Sequence, residues 1–165
     1  MRKIVVAGGC FWGVEEYYRR CKGIISTKVG YAQSKYEAPS YEDVKTGNTE
    51  AVEAVWLEYD ENEITLIKIL EHLFRMIDPT SLNRQKDDIG PQYRTGVYYE
   101  YDKEKETIDG YFEFRRRDYK NELVIECRKL VNFYEAEDYH QKYLIKNPTG
   151  YCHVDFDLLK EDEMK

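Results

Sequence analysis

What this sequence lacks narrows its function before any motif is read. It has no run of about 18 apolar residues, so no segment reads as a membrane-spanning helix. It has no CxxC pair, and its three histidines (72, 140 and 153) supply no His-x3-His partner, so a structural zinc site is not expected. Basic charge is in deficit, with 25 Lys and Arg against 32 Asp and Glu and a net charge of −7. Such a chain repels phosphate backbones, so nucleic acid is a poor partner. The one dense basic run, Arg115-Arg116-Arg117, reads as a solvated helix face. Near Met1 there is no apolar h-region with a cleavage site, so a reducing cytoplasm is the expected setting. There the cysteines at 10, 21, 127 and 152 would be catalytic, redox-active or inert rather than stapled.

What is present is one ordinary domain, residues 1–165, with a tail from about 147 to 165. Hydrophobic residues make up 42%, which is near the globular norm and argues against wholesale disorder. No internal repeat or low-complexity stretch divides the chain. Tyrosine is the outlier at 16 copies, a residue suited to half-buried positions with an apolar body and a polar tip.

Local patterning predicts a strand over 3–7, a helix over 12–21 and a second strand over 24–31. A long loop over 32–50 leads to a strand over 51–59, and a helix over 64–77 is ended by Asp78-Pro79. A second polar loop covers 79–94. A strand over 96–101, a helix over 103–119, a short strand over 123–127 and a helix over 136–146 complete the chain. The first six elements run β-α-β-β-α-β, the order of the ferredoxin-like split βαβ plan, so the expected class is α/β (α+β) with extra helices and long functional loops.

The chemistry begins at Gly9-Cys10-Phe11-Trp12-Gly13. Cys10 lies between a strand end and a helix start, where backbone N–H groups and the helix dipole can stabilise a thiolate. Glycines before it permit a sharp turn and close approach of a substrate. The competing reading is a buried structural cysteine with core aromatics beside it.

The motif resembles the signature of the A-type peptide methionine sulfoxide reductases. The likeness continues through Val29-Gly30-Tyr31-Ala32, Pro39-Ser40-Tyr41-Glu42-Asp43-Val44, Asp78-Pro79-Thr80, Asn83-Arg84-Gln85 and Asp88-Ile89-Gly90-Pro91-Gln92-Tyr93-Arg94. It ends with Ala136-Glu137-Asp138-Tyr139-His140-Gln141, Tyr143-Leu144, Lys146-Asn147-Pro148 and Gly150-Tyr151-Cys152. The ordered set spans almost the whole chain.

The resemblance implies an enzyme that reduces the S epimer of methionine sulfoxide, free or within proteins and peptides, in oxidative-damage repair. It implies Cys10 as the nucleophile that becomes a sulfenic acid, Glu50 as the acid that protonates the sulfoxide oxygen, and Tyr41 and Tyr93 as hydrogen-bond donors to that oxygen. Phe11 and Trp12 would receive the S-methyl group, and Asp88 would orient the polar network. Tyr134, Tyr143 and Tyr151 are further candidates for the pocket wall, with ordinary half-buried packing as the alternative for each. Cys152 would resolve the sulfenic acid to a Cys10–Cys152 disulfide that thioredoxin or a similar dithiol reduces.

No metal and no bound organic cofactor is implied, and a monomer is the default. Cys21 and Cys127 match no cysteine of the family and read as inert thiols. Asn48 stands where many members carry a histidine two residues before the acid. Two rivals are kept. A cysteine hydrolase would activate Cys10 through His140 or His72 and would not need Cys152. A non-catalytic module would bind oxidised peptides equally well with Cys10 changed to Ser.

Overall fold

A computed structural model describes residues 1–165. β1 (Arg2–Gly8) is buried from Ile4 to Gly8, as its β-branched run requires. Gly9 then turns the chain with φ +89, a left-handed conformation that favours glycine, and α1 (Phe11–Arg19) begins at once. β2 (Ile24–Ala32) follows, then a five-residue α2 (Tyr41–Lys45) and β3 (Val52–Tyr59). α3 (Leu66–Met76) is capped by Thr65, whose hydroxyl accepts the Lys68 N–H at 3.1 Å. A two-stranded hairpin of β4 (Arg84–Gln85) and β5 (Asp88–Ile89) precedes β6 (Thr95–Tyr99). α4 (Asp102–Arg116), β7 (Glu126–Lys129), β8 (Phe133–Glu135) and a single turn α5 (Tyr143–Lys146) complete the regular structure.

The main sheet has the order β7-β6-β1-β3-β2-β8. Each neighbouring pair among its inner four strands is antiparallel, with β3 inserted between β1 and β2. That is the split βαβ arrangement expected from the element order. β7 extends one edge in parallel and β8 extends the other antiparallel.

The pleat divides β1 between two cores. Ile4 and Val6 join the large cluster that also holds Phe11, Val14 and Tyr17 of α1 and Leu70 and Leu73 of α3. Val5 and Ala7 face a smaller cluster with Val52, Ala54 and Tyr98. On that second face Lys3 and Lys28 reach over the Trp56 ring, at 5.5 and 5.0 Å.

The segment expected as a helix over 136–146 is not one. It holds a 3₁₀ turn at Asp138–His140, a left-handed Lys142 (φ 52) and only then a helical turn. Tertiary partners replace the intrahelical bonds. Gln141 Nε2 donates to Val29 O at 2.8 Å and Ala136 O at 2.9 Å, and its Oε1 accepts from Val29 N at 2.9 Å. The buried Glu15 carboxylate accepts the Lys142 N–H at 2.7 Å and the Thr27 hydroxyl at 2.8 Å.

Both long loops carry short structure that periodicity is too brief to reveal. In the first, Ser40 and Asp43 form a reciprocal capping box at α2. In the second, the buried Gln85 brackets Asp78 through both backbone groups, at 3.0 and 2.9 Å, and so ties the hairpin to the end of α3. The strand read over 123–127 begins later, at Glu126, and β8 was not foreseen. Arg115, Arg116 and Arg117 close α4, where Asp118 and Glu113 pair with Arg115 and Arg116.

Candidate active site

Cys10 stands at the N-cap of α1 and is 7% exposed. It opens onto a small cavity of about 100 Å³ lined by Cys10, Phe11, Trp12, Tyr41, Glu53, Asp88, Tyr93 and Tyr151. Larger clefts exist, such as one of about 450 Å³ between Arg2 and Lys103, but that one has no cysteine in its lining.

The acid in the cavity is Glu53, and this corrects the sequence expectation of Glu50. Glu50 is exposed on the loop before β3, with φ 61. Glu53 is the second residue of β3, opposite Tyr31 on β2, and is 2% exposed. The sequence did hold a signal for it. Glu53 is the lone charge inside Ala51-Val52-Glu53-Ala54-Val55, and a carboxylate within a buried apolar strand is seldom there for packing. With the acid at 53, Asn48 is no longer the residue two before it. That residue is the buried Ala51.

Burial pushes the Glu53 carboxyl up to about 8, with the nearby Asp88 charge adding to the effect. The Phe11 N–H donates to Glu53 Oε1 at 3.3 Å and opposes that rise. The acid is therefore mostly protonated at neutral pH.

The expectation of a thiolate at Cys10 also changes. The Trp12 N–H at the start of α1 does favour the anion, but burial and the facing Glu53 outweigh it. The Cys10 thiol is held well above its ordinary value, so the resting site carries a neutral thiol beside a mostly neutral acid. Tyr41 and Tyr93, whose hydroxyls interact, are raised too, chiefly by burial, and remain phenol donors.

The aromatic wall is braced from behind. Trp12 stacks on Tyr143 with ring centroids 3.7 Å apart and 10° between planes. Trp12 Nε1 donates to His140 Nδ1 at 3.0 Å, and the His140 ring packs on Phe11 and Tyr41. Tyr143 thus supports the wall without lining the cavity. Tyr134 departs further from expectation, because it lines a separate groove with Pro39 and Phe133. Tyr151 does line the cavity, and its hydroxyl donates to Asp88 Oδ2 at 3.0 Å.

Neither histidine activates Cys10. His140 is engaged with Trp12, and His72 bonds the Tyr17 hydroxyl at 2.7 Å in a region where burial lowers it to about 4. Cys152 lies outside the cavity lining but rests against α1 at Gly13, and its charge is among those that reach Cys10.

The model of the family described as peptide methionine sulfoxide reductase matches residues 2–165. The chain belongs to this family. Among its relatives is the peptide methionine sulfoxide reductase MsrA of Clostridium perfringens (strain SM101 / Type A). The two are 51% identical over 157 residues, which is 95% of this chain and 100% of the relative. The reduced form of Mxr1 from Saccharomyces cerevisiae superposes with a TM-score of 0.89 at 36% identity, covering 93% of this chain and 91% of that one. The same yeast protein has also been solved in complex with Trx2, and that structure superposes with a TM-score of 0.63 at 26% identity, covering 86% of this chain and 84% of that one. As a peptide methionine sulfoxide reductase, this enzyme reduces methionine sulfoxide to methionine by cysteine chemistry.

Proposed function

We propose that the enzyme takes the S epimer of methionine sulfoxide, free or within a polypeptide, with Cys10 as nucleophile, Glu53 as proton donor and Cys152 as resolving thiol. The buried, protonated Glu53 facing Cys10 carries this reading. Oxide is a poor leaving group, so attack on the sulfoxide sulfur needs a proton on the oxygen. Glu53 supplies it, Tyr41 and Tyr93 donate hydrogen bonds to the same oxygen, and Asp88 orients the network with Tyr151. The Cys10 thiol gives up its proton as its sulfur attacks, which restores Glu53. The products are methionine and a Cys10 sulfenic acid, so two electrons pass from the thiol to the sulfoxide.

The cavity is large enough for a methylsulfinyl tip only, which leaves the rest of a substrate chain outside. With oxygen fixed at Glu53, methyl against Phe11 and Trp12, and the chain pointing outward, only one hand of the sulfur presents its face to Cys10. The hand itself is taken from the family resemblance. The Cys152 thiol then displaces water from the sulfenic acid to form the Cys10–Cys152 disulfide. A thioredoxin-type dithiol reduces that bond, a reading the yeast Trx2 complex supports. The cytoplasm is the setting that suits this cycle, because the thiols must be returned to their reduced form.

The test is consumption of racemic methionine sulfoxide by wild type, Cys10→Ser and Cys152→Ser, with chiral analysis and either thioredoxin or dithiothreitol as reductant. Loss of the S epimer alone, abolished in Cys10→Ser, is expected. Cys152→Ser should lose the thioredoxin-driven reaction. Consumption of both epimers, or thioredoxin-driven turnover without Cys152, would overturn the scheme.

A further inference from the structure

Three residues around Cys152 hold it in one place, through three hydrogen bonds and one buried side chain. The Tyr151 hydroxyl donates to Asp88 at 3.0 Å. The buried His153 donates from Nε2 to Gly8 O at 2.7 Å, and its own carbonyl accepts Lys86 Nζ at 2.6 Å. Val154 is buried in the main core. Between these anchors Cys152 Sγ faces its own chain at Val154 N and O, both at 3.4 Å, and lies on the first turn of α1.

The contact with α1 is at Gly13. A Cβ built on Gly13 would stand 2.7 Å from Cys152 Sγ and 3.0 Å from Val154 Cγ2, closer than packed atoms allow. Gly13 has an ordinary helical backbone, so conformational freedom does not explain the glycine. Alanine would be the better helix former by about 1 kcal/mol at such a position. Cys10 is the N-cap of α1 and Gly13 its third helical residue, so the two lie within the first turn. A sulfur seated on Gly13 is therefore close enough to Cys10 for its charge to reach the Cys10 thiol.

We propose that Gly13 is a positioning residue for the resolving step: its bare Cα is the seat on which Cys152 Sγ rests beside Cys10, with His153 as the anchor that keeps it there. The inference rests on the proposed function. In the step concerned the S–O bond of the Cys10 sulfenic acid breaks and the Cys10–Cys152 S–S bond forms. The Cys152 thiol proton leaves with the hydroxyl as water. A seated thiol starts this step near Cys10, so less of the tail has to move. A side chain at position 13 lifts Cys152 away while Cys10, Glu53 and the aromatic wall stay in place.

Gly110 supplies the control, since it is also helical and a Cβ there meets nothing within 4 Å. Reduced wild type, Gly13→Ala, Gly110→Ala and His153→Ala are each mixed with excess methionine sulfoxide and no reductant. Methionine released, thiols lost and Cys10 sulfenic acid trapped by dimedone are followed in time. All four should release the first equivalent of methionine at similar rates. Wild type and Gly110→Ala should then close the disulfide promptly and give little adduct. Gly13→Ala should close it more slowly by about tenfold or more, as displacements of about 1 Å do, and should accumulate adduct at Cys10. His153→Ala, which keeps the seat but loses its anchor, should show the same signature more weakly.

Wild-type disulfide formation in Gly13→Ala overturns the proposal. So does a Gly13→Ala protein that loses the first equivalent as well, or fails to fold, while His153→Ala resolves at the wild-type rate. Failure of the wild type to release methionine would instead sink the proposed function.

Discussion

Replacing Glu53 by Gln separates the role of this residue in catalysis from its cost to the fold. The carboxyl moves from an ordinary 4.5 in the unfolded chain to about 8 when buried. At pH 7 it is then about nine-tenths protonated, against roughly one part in 300 for an ordinary glutamate. The native state holds the extra proton. Stability is therefore fully present below 4.5, where both states are protonated, and declines as pH rises towards about 8. From these two values the penalty is roughly 3 kcal/mol at pH 7 and roughly 5 kcal/mol at pH 9.

Glutamine is neutral at every pH and can still accept the Phe11 N–H through Oε1. The variant should gain stability over the wild type progressively from pH 5 to pH 8, read as midpoints of urea unfolding across that range. Its first step, followed as methionine released without reductant, should slow by about 10²–10⁴, the usual worth of a positioned general acid. Glu50→Gln is the companion and should match wild type in both assays, since Glu50 is exposed on the loop. A Glu53→Gln enzyme within about tenfold of wild type, or one with no change in the pH slope of stability, would refute the reasoning.

Trp12→Ala removes the methyl wall and the ring that stacks on Tyr143. kcat/KM should fall by about 10-fold to 200-fold, the range for a lost apolar subsite, and unchanged kinetics would remove that role. Glu15→Ala leaves the Lys142 N–H and the Thr27 hydroxyl without their acceptor. It should cost about 1–3 kcal/mol for each orphaned group by chemical denaturation, and it should raise KM because Tyr143 follows directly on Lys142. Glu163 accepts from Arg75 at 2.7 and 2.9 Å and pairs with Lys68 at 2.6 Å, which fastens the tail to α3. Arg75 holds its carboxyl far below the usual range, so the stability it contributes is present above 4.5 and is lost as pH falls. Glu163→Gln should cost about 1–3 kcal/mol near pH 7, with the gap to wild type narrowing below 4.5.

The split βαβ order was legible because its elements announce themselves locally. β1 is a β-branched run ended by glycine, α3 carries a repeating apolar stripe, and Asp78-Pro79 stops it. Cys10, Phe11, Trp12, Tyr41, Asp88, Tyr93 and Tyr151 were all marked before folding, and the fold gathers them at one cavity. Glu50 failed because Glu-Ala-Val occurs twice within six residues, at 50–52 and 53–55. The lone charge inside Ala51–Val55 hints at Glu53, and the register of β3 against β2, pairing Glu53 with Tyr31, settles which carboxyl is turned into the protein. Tyr134 and Tyr143 failed for a different reason. β8 and the broken segment after it are shaped by distant partners, Glu15 and Val29 among them, rather than by their own periodicity.

By itself, then, the sequence determined the strand and helix order, the cysteine at a strand-to-helix turn and the excess of aromatic rings, since all of these are written in nearest-neighbour chemistry. The tertiary structure decided that Glu53 and not Glu50 is the carboxyl in the cavity, that burial keeps the Cys10 thiol neutral and that Cys152 lies on Gly13. Each of those depends on burial and on contacts across up to 139 positions of chain (152 − 13), which nearest-neighbour chemistry does not fix.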